Sequence, residues 1–156
     1  MPRLASHSLR LAAVAIVIID MVSPVVAYAQ NPPVSLTLTP PTYCTLAPLA
    51  GQNQCSDTGN ADNNNDTGWG VLTWTYDSNH LTVCVTGTGG SPLSSPCDIY
   101  QGYKVYTDIG FTFVMTYIKS TCDAGTYNVV FALSKGSYTA YATFSVYVKC
   151  VLSPTA

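Results

Sequence analysis

The feature that most constrains the fold is an alternation of apolar and polar residues at every second position, which recurs about seven times along the chain. Such alternation places the apolar side chains on one face of an extended strand. The threonine, valine and tyrosine residues that fill these positions also favour strands. No segment has the period of a helix, so the pattern predicts an all-β chain. The predicted strands are residues 34–39, 72–76, 81–86, 103–105, 111–117, 127–133 and 140–148.

The last two predicted strands form a self-consistent hairpin. Folding at residues 134–137 sets Tyr127 opposite Phe144 and Val129 opposite Ala142, so that the apolar residues share one face. Several antiparallel strands that each bury one face must stack or close on themselves. We therefore expect a β-sandwich or a small barrel, formed by a single domain over residues 30–156.

Two segments resemble a known class of sandwich. Residues 124–131 read Ala-Gly-Thr-Tyr-Asn-Val-Val-Phe, and residues 142–148 read Ala-Thr-Phe-Ser-Val-Tyr-Val. This pair resembles the final hairpin of immunoglobulin-like extracellular modules, including PKD-like ones, and the residues from Trp74 to Asp77 are similar to their tryptophan-bearing strand. The resemblance implies an immunoglobulin-like antiparallel β-sandwich of about seven strands. No cysteine pair flanks Trp74 in the immunoglobulin pattern, so the inter-sheet disulfide of that family is not expected.

Residues 1–29 have the features of a secretory signal peptide. Two arginines form a basic region, an apolar stretch follows over residues 11–19, and Ala-Tyr-Ala at 27–29 fits a cleavage site. Asp20 and Pro24 interrupt the apolar run well short of the roughly 20 residues that a membrane-spanning helix needs. We therefore expect cleavage after residue 29, export, and no membrane span in the mature chain.

The composition beyond residue 29 restricts the partners and indicates the compartment. This part has four lysines, seven aspartates, one histidine and neither arginine nor glutamate, a formal charge of −3. Without a basic cluster, nucleic acid and anionic membrane surfaces are poor partners. Its six cysteines indicate three disulfides in an oxidising compartment. No C-x-x-C pair supports a zinc site, and the sequence gaps favour the pairs Cys44–Cys55, Cys84–Cys97 and Cys122–Cys150.

Two stretches, residues 56–70 and 87–96, are rich in loop-forming residues and predict exposed, irregular loops. In the first, oxygen-bearing side chains alternate as they do in a calcium loop. The pattern departs from the EF-hand, because glycine comes one position late and the closing glutamate is absent. A solvated loop without a cofactor is therefore the favoured interpretation. The candidate calcium ligands are Asp57, Asp62, Asn64 and Asp66.

The sequence from Asn65 to Thr67 is also an N-x-T sequon, which predicts glycosylation of Asn65 in an exported protein.

The sequence does not mark a catalytic site. His80 is the only histidine beyond the leader and follows Asp77 by three residues. Nucleophilic catalysis needs a base beside the nucleophile and a group that orients the base, and glycoside hydrolysis needs a pair of carboxylates. Nothing identifies either set. We therefore interpret His80 as a turn or surface residue, assign no catalytic residue, and expect a non-enzymatic protein.

Several tyrosines occupy outward positions of the predicted sheet. Tyr141 and Tyr147 alternate with the apolar residues of their strand and should point to solvent. A face of tyrosine and threonine suits contact with carbohydrate or with a second copy of the chain. It is also ordinary sheet surface, since both residues favour strands.

The segment after the leader isolates one strand, because prolines at 32–33 and 40–41 flank residues 34–39. A strand near a free N-terminus can insert into the sheet of a neighbouring subunit, which makes residues 30–41 a candidate donor strand. The equally weighted alternative is that this is the first strand of its own sandwich. The candidate residues for strand addition are Val34, Leu36 and Leu38.

In general character the chain is similar to subunits of archaeal donor-strand surface filaments, which combine a leader, one β-sandwich, low charge and abundant threonine and tyrosine. The resemblance implies a secreted or cell-surface structural protein, a filament or surface-layer subunit that associates with copies of itself or with other surface proteins or glycans. The alternative is a monomeric extracellular binding or adhesion module for a glycan or protein ligand.

Overall fold

The computed structural model describes residues 32–64, 67–87 and 97–152 and confirms the all-β fold. In the described ranges a single 3₁₀ turn, Pro48–Ala50, accompanies the strands. Over the described residues there are nine strands: β1 Ser35–Leu38, β2 Tyr43–Leu46, β3 Gln54–Asp62, β4 Gly70–Thr75, β5 Leu81–Gly87, β6 Tyr103–Val105, β7 Asp108–Tyr117, β8 Gly125–Lys135 and β9 Tyr138–Val148.

The strands form two sheets that pack face to face. Sheet A has the order β1-β3-β7-β5 and sheet B the order β2-β9-β8-β4-β6. Neighbouring strands are antiparallel except β2 and β9, which are parallel. Phe113 of β7 contacts Phe131 of β8 and Phe144 of β9, with ring centroids 4.7 and 5.2 Å apart. Because these rings come from different sheets, the core lies between them, as in a sandwich.

Two of the nine strands, β2 and β3, were not predicted from the sequence. β3 extends to Asp62, so the prediction of an irregular loop from residue 56 to residue 70 is wrong for its first half. β3 lies between β1 and β7 and pairs with β7 along its whole length. This pairing outweighs the low strand preference of its glycine, asparagine and aspartate residues. With these two, the described residues form nine strands where the pattern predicted about seven.

Gly59 shows why a residue with weak strand preference is useful in β3. It pairs with Phe111 of β7, and a Cβ atom at this position would lie 2.5 Å from Cζ of that ring and 2.9 Å from Cδ2 of Leu38. The Phe111 ring therefore occupies the space over Gly59 and is fully buried there. A glycine in a strand often marks such a close approach.

The hairpin of β8 and β9 is present, with a register that differs by two residues from the prediction. Val129 pairs with Phe144 instead of Ala142, and the predicted pairing of Tyr127 with Phe144 is wrong in the same way. The two strands are joined by a two-residue turn that begins with Gly136, whose φ of 59° favours glycine. Because side chains alternate with a period of two, a shift of two residues leaves the same residues facing the core.

The N-terminal segment crosses from one sheet to the other. β1 lies antiparallel to β3 at the edge of sheet A. A cis peptide bond joins Pro40 and Pro41, and β2 then lies beside β9 at the edge of sheet B. Val34 and Leu36 are buried, and they close one side of the sandwich.

The three predicted disulfides are present: Cys44–Cys55, Cys84–Cys97 and Cys122–Cys150. The first joins β2 to β3 and therefore links the two sheets. The second anchors the residues before β6 against β5, where the Ile99 amide donates to the Val85 carbonyl at 3.2 Å. The third ties the β7–β8 connection to the residues after β9. Three disulfides fit an extracellular, oxidising location.

Several sequence predictions lie outside the described residues. They are the leader, residues 1–29, the sequon residue Asn65, the candidate ligand Asp66, and the second predicted loop except Gly87. The described residues belong to one compact unit. Over the described ranges, no helix has the length and apolar character needed to cross a membrane.

We expect Gly59→Ala to lower the free energy of unfolding by about 1–3 kcal/mol, because the added methyl group overlaps the Phe111 ring and overpacking a core costs about this much. Gly87→Ala is the matched control, since it is also a strand glycine and an added Cβ would lie 4.0 Å from its nearest neighbour, Ile99. Chemical denaturation of both variants measures the difference. Equal stability of the two would contradict the packing of Phe111 on Gly59.

Candidate functional site

The predicted strand-addition residues lie in or directly before β1 and dock on their own chain. Val34 and Leu36 are 2% and 8% exposed, and Leu38 packs against the same core. The partner strand is β3 of the same chain, with Leu38 opposite Gly59. In this structure the segment is therefore the first strand of its own sandwich.

An open cleft lies beside β1, where sheet A and sheet B meet at their edges. Its volume is about 380 Å³. β1 itself pairs with β3 as far as the pair Leu38 and Gly59. One further backbone hydrogen bond follows, from the Thr39 amide to the Thr58 carbonyl at 3.0 Å. The main lining residues are Pro32, Val34 and Leu36 from the N-terminal segment and Tyr138, Ala140 and Tyr141 from β9.

Two of the candidate calcium ligands, Asp57 and Asp62, are separated by the strand that contains both. They are five residues apart in β3, a distance of roughly 17 Å at about 3.3 Å per residue. The Asp57 carboxylate accepts a hydrogen bond from the Thr58 amide at 2.7 Å. Within the described ranges, no three histidine, cysteine, aspartate or glutamate side chains are placed to hold a metal ion.

Asn64, the third described candidate, fastens the N-terminal segment to the end of β3. Its side-chain nitrogen donates to the Pro32 carbonyl, and its oxygen accepts from the Ser35 hydroxyl at 3.4 Å. The Asp62 carboxylate accepts from the Asn64 amide at 2.7 Å. These side chains therefore hold the start of β1 in place.

His80 lies between two carboxylates. Its Nδ1 is 2.7 Å from Asp77 Oδ2, and its Nε2 is 3.0 Å from Asp123 Oδ2. Asp77 is close in sequence and forms a turn in which its Oδ1 accepts from the Asn79 amide at 2.9 Å. Asp123 comes from the β7–β8 connection. We name Asp77, His80 and Asp123 the histidine clasp, because these residues connect the turn before β5 to the β7–β8 connection.

Two tyrosines support the histidine clasp. The His80 ring stacks on Tyr127 with centroids 4.5 Å apart. The Tyr127 hydroxyl donates to the Asp123 carbonyl at 3.0 Å. The Tyr117 hydroxyl donates to the Thr121 carbonyl at 3.1 Å and accepts from the Asp123 amide at 2.8 Å. The β7–β8 connection is thus fixed from both flanking strands.

The histidine clasp shifts the ionisation of its members. The hydrogen bond to Asp123, helped by Asp77, raises the pKa of His80 above its ordinary value of 6.5. The hydrogen bond from the Asn79 amide, followed by that with His80, lowers the pKa of Asp77 below 3.8. Burial raises the pKa of Tyr127 above 10.0. A carboxylate at each ring nitrogen favours the protonated form of His80.

The outer face of sheet B forms a second candidate surface. Tyr141 and Tyr147 are 68% and 40% exposed, as predicted, and Tyr43 of β2 meets Tyr147 with ring centroids 5.8 Å apart. The outward residues across this sheet are uncharged except for Lys104 at the edge. We name this surface the tyrosine–threonine face, which consists of Tyr43, Thr45, Val71, Thr73, Thr75, Thr126, Asn128, Val130, Ala132, Ser134, Thr139, Tyr141, Thr143, Ser145 and Tyr147.

Comparison with known proteins identifies no family for the chain. No protein-family description matches it, and no curated protein sequence is significantly similar. A similar solved structure is a family 123 glycoside hydrolase from Clostridium perfringens, studied for glycolipid glycan hydrolysis, with a TM-score of 0.49 and 12% identity over 72% of this chain. The match spans 23% of that protein's length. Another is the CooA pilin subunit from enterotoxigenic Escherichia coli, with a TM-score of 0.37 and 15% identity over 79% of this chain and 100% of that one.

We expect His80→Gln to destabilise the protein more at pH 5 than at pH 9. The His80 pKa is raised in the folded state, so its contribution is complete below 6.5 and is lost as the pH rises through the raised value. The Asp77 pKa is lowered, so its contribution is present above 3.8 and is lost in stronger acid. The clasp therefore contributes most between these two values.

Thermal melting of wild type, His80→Gln and Ser78→Ala at both pH values measures this effect. Ser78 is an exposed residue of the same turn, so its substitution should cause no pH-dependent change. An equal loss for His80→Gln at the two pH values would show that the imidazole acts by packing alone.

Proposed function

We propose that the chain is a non-enzymatic, extracellular structural subunit that assembles by β-strand addition, with β1 of one copy taking the place of β1 in the next. The observation that carries the proposal is the attachment of β1. It is a four-residue edge strand that is joined to β2 by only residues 39–42, and its buried anchors are Leu36 and the residue directly before the strand, Val34.

The contacts of β1 are suited to exchange between copies. A strand from a second copy would make the same backbone bonds to β3 and fill the same positions between the sheets. Such exchange is therefore a route to oligomers that needs no new interface. Short hinge segments favour it, because they restrict how the element folds back on its own chain.

The topology supports an immunoglobulin-like module as the building block. Both sheets have the immunoglobulin strand order. In sheet A, the order β1-β3-β7-β5 corresponds to A-B-E-D. In sheet B, the order β9-β8-β4 corresponds to G-F-C. The buried Trp74 lies on the strand equivalent to C. The bond from the Tyr127 hydroxyl to the Asp123 carbonyl matches a tyrosine corner. The position of β6, which follows β5 in sequence, departs from that family.

The experiment compares the exported chain beginning at Gln30 with one beginning at Thr42, which lacks β1. Light scattering and negative-stain microscopy should find oligomers or filaments of the first. The second should be unable to form them and should regain a cooperative melting transition when a synthetic peptide of residues 30–41 is added. Strand addition would be contradicted if the chain from Gln30 stays monomeric at every concentration and the peptide does not restore the melting transition of the chain from Thr42.

Two peptide variants test whether the buried anchors direct the exchange. Leu36→Asp places a charge in the core and should weaken peptide binding by more than about tenfold, since burying a leucine contributes about 1.5–3 kcal/mol. Thr37→Asp is the matched control, because Thr37 is its exposed neighbour on the same strand. Equal binding of the two peptides would mean that β1 associates without entering the sandwich.

A second candidate function, binding of a glycan or protein ligand by a monomer, is favoured by the tyrosine–threonine face. Its exposed aromatic rings and hydroxyl groups on the outer side of a sheet suit such contacts. Tyr141→Ala should then abolish binding on a glycan array. Tyr138→Ala is the control, because Tyr138 is 52% exposed and lies outside this face. If the Tyr141→Ala variant still binds, the tyrosine–threonine face is not the ligand-binding surface.

A further inference from the structure

Asn63 and Lys135 meet at the end of the sandwich although they are 72 positions apart in sequence. Asn63 directly follows β3 in sheet A, and Lys135 is the last residue of β8 in sheet B. Lys135 Nζ lies 2.9 Å from Asn63 Oδ1. Asn63 is fully buried, with an exposed fraction of 0%. A half-buried amine is therefore held against a fully buried side-chain amide.

The Asn63 amide is fixed in one orientation. Its Nδ2 donates to the Gly68 carbonyl at 3.1 Å and to the Tyr106 carbonyl at 3.0 Å. Flipping the amide would place its oxygen against these two carbonyl oxygens, which is unfavourable. Oδ1 therefore stays on the side of Lys135. Because a carbonyl bond is about 1.23 Å long, Nζ lies within about 4.1 Å of the Asn63 carbonyl carbon.

We propose that Lys135 and Asn63 become joined by a covalent amide bond between their side chains. Once the Lys135 ammonium group has given up one proton, its amine attacks Cγ of Asn63, the new Nζ–Cγ bond forms, and the Cγ–Nδ2 bond breaks. The two protons that the lysine ammonium group loses pass to the leaving nitrogen, which departs as ammonium. Charge and atoms balance, and no oxidant, metal or cofactor enters the reaction.

The surroundings of the two groups favour this step. Holding an amine next to an amide in one orientation removes the entropic cost of bringing them together. The Gly68 and Tyr106 carbonyl oxygens already face Nδ2, so they stabilise the positive charge that develops on that nitrogen as it leaves. The hydrogen bond from Nζ to Oδ1 keeps the amine at the carbonyl group.

The position of the bond complements the disulfides. Cys44–Cys55 and Cys122–Cys150 lie near the start of β3 and near the start of β8, respectively. Asn63 and Lys135 lie at the far ends of these same two strands. A bond between them would link the two sheets at the end where β3 and β8 finish, and it would resist reduction. This inference is independent of strand addition.

The test is the mass of the exported wild-type chain after full reduction and alkylation. We expect a mass lower by one ammonia than the sequence requires, and a proteolytic fragment in which the peptides of Asn63 and Lys135 are joined. An N-terminal Gln30 also releases ammonia when it cyclises, so the fragment that carries the loss must be identified. Recovery of the Asn63 peptide and the Lys135 peptide as separate fragments, each with its full calculated mass, would overturn the proposal. The two side chains would then share only a hydrogen bond.

Lys135→Arg provides the matched comparison. Arginine keeps the positive charge and the donor to Asn63 and does not form the amide, so this variant should retain the ammonia and give separate peptides. Ser134→Ala, next to it on the outward side of β8, should still show the joined fragment. Identical fragment patterns in wild type and Lys135→Arg would contradict the bond, whatever the stability of the variant.

Discussion

The sandwich depends on the contact between aromatic rings of opposite sheets. Phe113 packs against Phe131 and Phe144, and Phe111 packs against Phe131 at 5.4 Å. Fully burying one such side chain contributes about 1.5–3 kcal/mol. These rings determine which face of β7, β8 and β9 turns inward. That choice then places the polar clusters at the strand ends and the tyrosine–threonine face on the outside.

The local pattern of apolar and polar residues predicted the strands whose side chains alternate. It failed where contacts between distant strands determine the structure. The β8–β9 hairpin was predicted because its apolar residues recur at every second position, but its register depends on the turn, which is centred one residue later than the expected turn at residues 134–137. β3 gave no strand signal, because its strand position depends on pairing with β7 and on the Phe111 ring over Gly59. The preference for pairing successive cysteines, by contrast, agrees with all three disulfides.

The polar sites show the same division. Asp77 and His80 are three residues apart, and a turn brings such neighbours together, so half of the histidine clasp could be anticipated. Asp123 is 43 positions from His80, and only the folded β7–β8 connection brings it there. The contact between Asn63 and Lys135 joins the ends of two strands in different sheets. Sequence spacing contains no signal for it, because it depends on the order of strands in both sheets.

The crossing of the N-terminal segment between the sheets has a mechanical consequence. Ser35 lies opposite Asp62, at the end of the sandwich where β9 begins, whereas β9 finishes at the other end. A pull on the two ends of the body therefore acts first along the ladder of β1 with β3, and then draws β2 and β9 in opposite directions along their shared parallel ladder. The backbone hydrogen bonds of that ladder are then strained together, in shear, and cannot open one after another as in a zipper. The edge that joins the sheets is thus also the edge that would resist extension.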